Sequence, residues 1–285
     1  MTTKVQTSYT KSKKYKRLVC LGDSLTYNYT WGVVPDQYYT QQLANLLNAA
    51  SCNVTGYNNG VSGNTTGQML SRVSLMTQYG TPDLAVIYGG VNDLQYSSTV
   101  QASPTPTSTV FAVASGKGAN YQPGTYLTVG GTSALILSVA TDTITLASAL
   151  PGGAPSVGAA VAIDTQTNLT EIGQYVTAAG CTRIVYGGLH YYNYSSGGDT
   201  HASPLAANAT LRGLQSAAAS AVGAQYCNFW TWMDNLIQTG QAVQGSYSWH
   251  VLDSNPHLNA SGELILAQAL YATIAAQSGW LTALQ

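Results

Sequence analysis

Three short apolar runs govern what this chain can fold into: "RLVCL" at 17–21, "LAVIY" at 84–88 and "RIVYGGL" at 183–189. Each is too short for an ordinary helix; glycine follows the first two, and the third contains Gly187-Gly188. Short continuous apolar runs with such ends suit strands buried on both faces of a parallel sheet. Helical patterns lie between them. "QYYTQQLANLLNAA" places Tyr39, Leu43, Leu46 and Leu47 on one face, and a second helix is expected over Thr66 to Gln78. "NLTEIGQYVTAAG" ends at Gly180, which suits a left-handed C-cap. "PLAANATLRGLQSAAASAVG" is a further helix, and one from Ala260 to Gln277, capped by Asn259 or Ser261, closes the chain. "CNVTGYNNG" and "AQYCNFWTW" complete five expected strands. Strand-helix alternation of this kind predicts an α/β layer fold with right-handed crossovers.

The pattern is interrupted once. From Ser97 to Thr165 the sequence is rich in Ser, Thr, Gly, Pro, Val and Ala, and Lys117, Asp142 and Asp164 are its only charges. "STVFAVASG", "TYLTVGG", "SALILSVA", "DTITLAS" and "AAVAID" are β-prone runs separated by turn residues. Three parts are expected: a basic arm at 1–16, an α/β domain from 17–96 and 166–285, and a β-rich insertion at 97–165.

Composition excludes several function classes. Only 7% of the residues are charged, far below the roughly 25% of an average soluble domain. Six basic residues fall in the first 17 positions, and the rest of the chain carries four basic and eleven acidic ones. Phosphate contacts need clustered Lys or Arg, so nucleic acid is not an expected partner. No apolar run approaches the ~20 residues that span a bilayer. The basic arm lacks the apolar stretch of a signal peptide, while the charge-poor, hydroxyl-rich body suits an extracellular or virion-associated protein. Oligomerisation is compatible with the sequence. Cys20, Cys52, Cys181 and Cys227 show no metal-ligand spacing and sit in or beside expected strands, as core thiols do. No metal or cofactor is expected.

Ligands of an open parallel sheet bind outside the carboxyl ends of its strands. Three polar clusters fall there: Asp23-Ser24, "NNGVSGNTT" and "GGVND". A fourth, "DSNPHLNASG", precedes the last helix. A serine in a Gly-Asp-Ser turn is by itself an ordinary turn residue. On one rim with an Asp/His pair it becomes a candidate nucleophile, because neutral histidine can take its proton near pH 7. His257 is the candidate base, with Asp253 four residues before it to orient the ring. His190 and His201 flank a Tyr-, Ser- and Gly-rich loop and read as substrate-loop or surface residues. His250, after Trp249, reads as a packing residue. Gly63 allows close backbone approach and Asn92 carries an amide donor, the means of holding an oxyanion. Asp23 and Asp93 read as structural carboxylates.

Gly22-Asp23-Ser24-Leu25, Gly60-Val61-Ser62-Gly63, Gly89-Gly90-Val91-Asn92-Asp93 and Asp253 to His257, in that order, resemble the blocks of the SGNH, or GDSL, hydrolase family. The resemblance covers residues 17–96 and 167–278. It implies a three-layer α/β/α, flavodoxin-like fold with a five-stranded parallel sheet. It implies Ser24 as nucleophile, His257 as base, Asp253 as orienting acid, and an oxyanion hole from the Ser24 and Gly63 N–H groups and the Asn92 side chain. Two features depart from the family pattern: the Asp253–His257 spacing of four, where three is usual, and the β insertion after Asn92.

Aromatic side chains cluster beside these residues: Tyr27, Tyr29 and Trp31, then Tyr191, Tyr192 and Tyr194, then Tyr247 and Trp249. The chain holds 20 Tyr and 5 Trp but only 2 Phe, so most rings carry a polar handle and suit the faces of sugars. Tyr27, Tyr29, Trp31, Tyr191, Tyr192 and Trp249 are therefore candidate substrate contacts. The expected activity is a serine esterase removing acyl groups, acetyl most simply, from carbohydrate. A short-chain carboxylesterase or lipase is the alternative enzyme. A non-catalytic carbohydrate-binding protein of a phage tail or cell surface is the alternative outside enzymes.

Overall fold

The computed structural model describes residues 15–27, 33–190, 206–239 and 257–285. In chain order the α/β part opens with β1 (Lys16–Gly22), the short α1 (Ser24–Tyr27), α2 (Tyr39–Ala49), β2 (Val54–Gly60), α3 (Thr66–Ser71) and β3 (Leu84–Tyr88). Six strands follow: β4 (Ser98–Thr99), β5 (Val110–Ala112), β6 (Tyr126–Val129), β7 (Thr132–Ala140), β8 (Thr143–Leu146) and β9 (Ala160–Ile163). Then come α4 (Thr165–Ala178), β10 (Ile184–Gly187), α5 (Ala206–Ala221), β11 (Gln225–Cys227), α6 (Phe229–Gln238), α7 (Ala260–Ala275) and α8 (Trp280–Leu284).

The first sheet has five parallel strands in the order β11-β10-β3-β1-β2. That is the flavodoxin-like order, whose switch point lies between β1 and β3. Alternate residues face opposite layers, as strand geometry requires. Leu18, Cys20, Leu84, Val86 and Tyr88 join a core with α2, α6 and α7. Val19, Leu21, Ala85 and Ile87 join another with α3, α4 and the end of α5. Register matters for function here. Gly22 pairs with Gly60 on one side and Tyr88 on the other, so the segments after β1, β2 and β3 leave the sheet at one level.

The second sheet, β4-β9-β6-β7-β8-β5, is antiparallel. It has its own core, with Phe111, Tyr121, Leu127, Ile136, Ile144 and Val161 at its centre. All four cysteines are buried and unpaired. Among the described residues no helix is long and apolar enough to cross a membrane.

Three elements differ from expectation. The helix expected over Thr66 to Gln78 stops at Ser71, because Arg72 leaves helical geometry (φ −115°, ψ 21°) before a 3-10 turn over Val73–Met76. The fifth strand ends at Cys227, and "FWTW" opens α6 instead. Asn228 accepts the Thr231 N–H at 3.1 Å, and Phe229 and Met233, one turn apart, are both buried, so capping and a helical apolar stripe override the β preference of the aromatics. The last long helix ends at Ala275, and α8 follows after Gly279, whose φ is +75°.

Candidate active site

The candidate residues lie after the three level strand ends and at the entry to α7. Ser24 is the first residue of α1, and it is buried. Its position is set by Asp23, whose Oδ1 accepts the Leu25 N–H at 2.9 Å and whose Oδ2 accepts the Gly90 N–H at 3.0 Å. One carboxylate thus joins the turns after β1 and β3. Full burial pushes Asp23 up to about 7, against those two hydrogen bonds. The α1 turn packs so closely that a Cβ on Gly22 would collide with the Thr26 hydroxyl and the Tyr88 carbonyl. Glycine is required there by space.

After β2 the chain turns at Val61–Asn64, where Asn64 N–H donates to the Val61 carbonyl at 3.2 Å. Gly63 sits at the third position of that turn with φ +77°, a conformation that costs other residues. The next residue but one, Thr65, caps α3 in a reciprocal box with Gln68, at 3.2 and 2.9 Å. Among the described residues, no carbonyl or side chain accepts from the N–H of Ser24 or of Gly63.

Asn92 lies in the 3-10 turn Val91–Gln95 after β3. Its Nδ2 donates to the Asn64 carbonyl at 2.9 Å, which fixes the amide. Asp93 is buried and accepts three hydrogen bonds, from the Thr66 N–H (2.9 Å), the Thr66 hydroxyl (2.6 Å) and the Thr165 hydroxyl (2.7 Å). Burial pushes it up to about 6.

His257 is buried two residues ahead of Asn259, the N-cap of α7. Burial pushes its imidazole down to about 4, so the ring is neutral near pH 7. Leu258, beside His257, and Leu25, beside Ser24, belong to the same buried cluster. Glu263 of α7 accepts the Tyr39 N–H at 2.7 Å and ties this helix to α2.

Ser24, Gly63 and Asn92 thus follow the ends of three adjacent, level strands, and His257 lies in the segment that enters α7. Asp253, Tyr29, Trp31, Tyr191, Tyr192 and Trp249 lie outside the described residues, as do His201 and His250. Tyr27 is part exposed and lines a cavity of about 270 Å³ with Pro35, Tyr38, Asn58 and Gly60. His190 is not a surface or substrate-loop residue. It is fully buried three residues beyond β10, and its Nδ1 is hydrogen-bonded to the Tyr88 hydroxyl. Among the described residues no cluster of His, Cys, Asp and Glu could hold a metal ion. Sequence patterns passed over Asn64 and Arg72, which sit behind the Gly63 turn. The available signal was that Arg72 is one of only four basic residues after position 17.

The GDSL-like Lipase/Acylhydrolase family model matches residues 20–264. The chain belongs to the GDSL-like lipase/acylhydrolase family. This GDSL-family protein is accordingly a serine ester hydrolase. No curated protein matches the sequence. Among solved structures, the fold is shared with the lipase/acylhydrolase from Enterococcus faecalis, at TM-score 0.51 and 14% identity over 91% of this chain and 95% of that one. It is shared with a variant of Axe2, an acetyl xylan esterase from Geobacillus stearothermophilus, at TM-score 0.54 and 14% identity over 90% and 94%. The psychrotrophic esterase EstA from Pseudoalteromonas sp., in a structure inhibited by monoethylphosphonate, gives TM-score 0.50 and 14% identity over 91% and 97%. Between β3 and α4 this GDSL-family chain carries the second, antiparallel sheet.

Proposed function

We propose that this hydrolase removes short acyl groups, acetyl foremost, from O-acylated carbohydrate, with Ser24 as nucleophile and His257 as base. The observation that carries the reading is that Ser24, Gly63 and Asn92 follow three adjacent strand ends at one level, and that among the described residues nothing accepts from the Ser24 or Gly63 N–H. His257 takes the Ser24 proton as Oγ bonds to the ester carbonyl carbon. The carbonyl electron pair moves onto its oxygen, which the Ser24 and Gly63 N–H groups and Asn92 receive. Collapse breaks the bond to the alkoxy oxygen, and His257 returns the proton to the leaving sugar hydroxyl. Water then repeats the sequence on the acyl-enzyme and releases the carboxylic acid. Asp253 is assigned the orientation of His257.

Substrate class rests on the cavity beside α1. Tyr27 and Tyr38 give it flat faces with polar edges, and Asn58 is a polar wall whose side chain is held by the Thr26 carbonyl at 2.6 Å and the Gly60 N–H at 2.9 Å. The aromatic faces suit stacking on a pyranose ring. A structural neighbour named as an acetyl xylan esterase points the same way.

The test is hydrolysis of aryl esters from acetyl to octanoyl, and acetate release from acetylated xylan, by wild type and Ser24→Ala. Acetyl preference and acetate release are expected, with a loss of about 10³-fold or more in Ser24→Ala. Equal activity of the two proteins would remove Ser24 from the mechanism. Preference for octanoyl would make the protein a lipase.

A further inference from the structure

Behind the Gly63 turn lies a side chain that the reaction scheme does not use. The Arg72 guanidinium is half-buried and spends its fork on three separate segments. Nε donates to Asn64 Oδ1 at 2.7 Å, Nη1 donates to the Asn59 carbonyl at 2.6 Å, and Nη2 donates to the Gly22 carbonyl. Asn59 belongs to the end of β2, Gly22 ends β1, and Asn64 closes the Gly63 turn. The Gly22 carbonyl also accepts the Val61 N–H at 3.1 Å, so both of its lone pairs are used to hold the Gly63 turn against the strand that delivers Ser24.

Asn64 extends the link. Its side chain takes Arg72 Nε, its N–H closes the turn on Val61, and its carbonyl takes the Asn92 amide. From the guanidinium, Ser24 is reached through Gly22, Gly63 through its neighbour Asn64, and Asn92 through the Asn64 carbonyl. The helix break at Arg72 is what turns the side chain toward these oxygens in place of a continued α3. A lysine at this position has neither the planar fork nor the fixed donor directions to reach three acceptors at once.

We propose that Arg72 is a positioning residue that sets the spacing of the three oxyanion donors: the Ser24 N–H, the Gly63 N–H and Asn92 Nδ2. The proposal rests on the serine-esterase reading above. Acylation and deacylation both pass through an oxyanion, so misplacing its donors slows both steps in proportion. KM then holds while kcat falls. A displacement near 1 Å costs up to about 10²-fold.

The experiment compares kcat, KM and burst amplitude on an aryl acetate for wild type, Ser24→Ala, Arg72→Lys, Asn64→Ala and the double variant, with folding checked by circular dichroism. Arg72→Lys and Asn64→Ala are each expected to lower kcat about 10- to 100-fold. KM should stay within about threefold and burst amplitude should be unchanged, because substrate contacts and the ratio of the two steps are retained. The double variant should lose little more than the worse single one, since both act through one link. Wild-type kcat in either folded variant, or a loss confined to KM, overturns the proposal. Should Arg72→Lys fail to fold, Asn64→Ala decides by the same criterion. An active wild type with an inactive Ser24→Ala and fully active Arg72→Lys refutes the role of Arg72 alone. Equal activity of wild type and Ser24→Ala refutes the serine mechanism, and the positioning role falls with it.

Discussion

Glu263 lies in the first turn of α7, buried, with its Oε2 on the Tyr39 N–H at 2.7 Å. Burial pushes its carboxyl from the ordinary 4.5 up to about 8, against that hydrogen bond. Between those values the folded chain holds a proton that the unfolded chain has released, so stability falls as pH rises through this window and levels off above it. Asp23 and Asp93, also pushed up by burial, act in the same direction. Glu263→Gln removes one of the three. Its melting temperature should therefore fall less than that of wild type between pH 5 and about 8.5, as thermal melts across that range would read. Equal slopes would mean that Glu263 is ionised in the folded protein. Nothing in the sequence around Glu263 announces its burial, whereas Ser24, Gly63 and Asn92 stand in motifs whose neighbours are readable. The difference is physical. A strand end needs glycines and small polar residues within a few positions, and these show locally. The partners of Arg72 and Glu263 lie 8 to 224 residues away, and no local pattern encodes them.

Between elements, the amino ends of α3 and α4 meet on Asp93. Thr66 begins one helix and Thr165 the other, and both hydroxyls donate to the same carboxylate oxygen. A carboxylate at two helix amino ends is favoured by both dipoles. It also anchors the turn that carries Asn92 to the point where the chain leaves the second sheet. Asp93→Ala leaves two hydroxyls and an N–H without their acceptor, at a cost of about 2–4 kcal/mol. Asp93→Asn keeps one acceptor oxygen and should cost less, which urea denaturation of the two variants resolves. Element type was legible where apolar period and length agreed, as in α2, β3 and α4. It failed at "NFWTW" and beyond Ser71, where a cap and an inward-turned arginine decide the backbone. Residue-type preference is weaker than either.

At the scale of the molecule, the α/β layers and the second sheet keep separate cores. The clusters around the parallel sheet contain no residue between 98 and 163, and the antiparallel cluster draws its buried residues from that segment alone. The sequence changes texture at Ser97. What sequence did not show is how the segment's ends meet. β4 pairs with β9, setting Ser98 opposite Val161 and Thr99 opposite Ala160. Cross-strand partners lie about 4.5–5.5 Å apart, so the segment enters and leaves at one point on the rim. A two-residue Asn-Gly turn spans such a gap. Joining Ser98 to Val161 through Asn-Gly therefore removes most of the second sheet without stretching the chain. The segment does brace its neighbours, since the Asn168 side chain of α4 bonds both the N–H and the carbonyl of Tyr126, at 2.8 and 2.9 Å. The shortened chain should therefore melt several degrees lower, yet unfold in one transition and keep Ser24-dependent hydrolysis of aryl acetate within about tenfold of the full chain. Calorimetry and aryl acetate kinetics on the shortened protein check both. Loss of the folded α/β part would show that the second sheet completes the core it only borders.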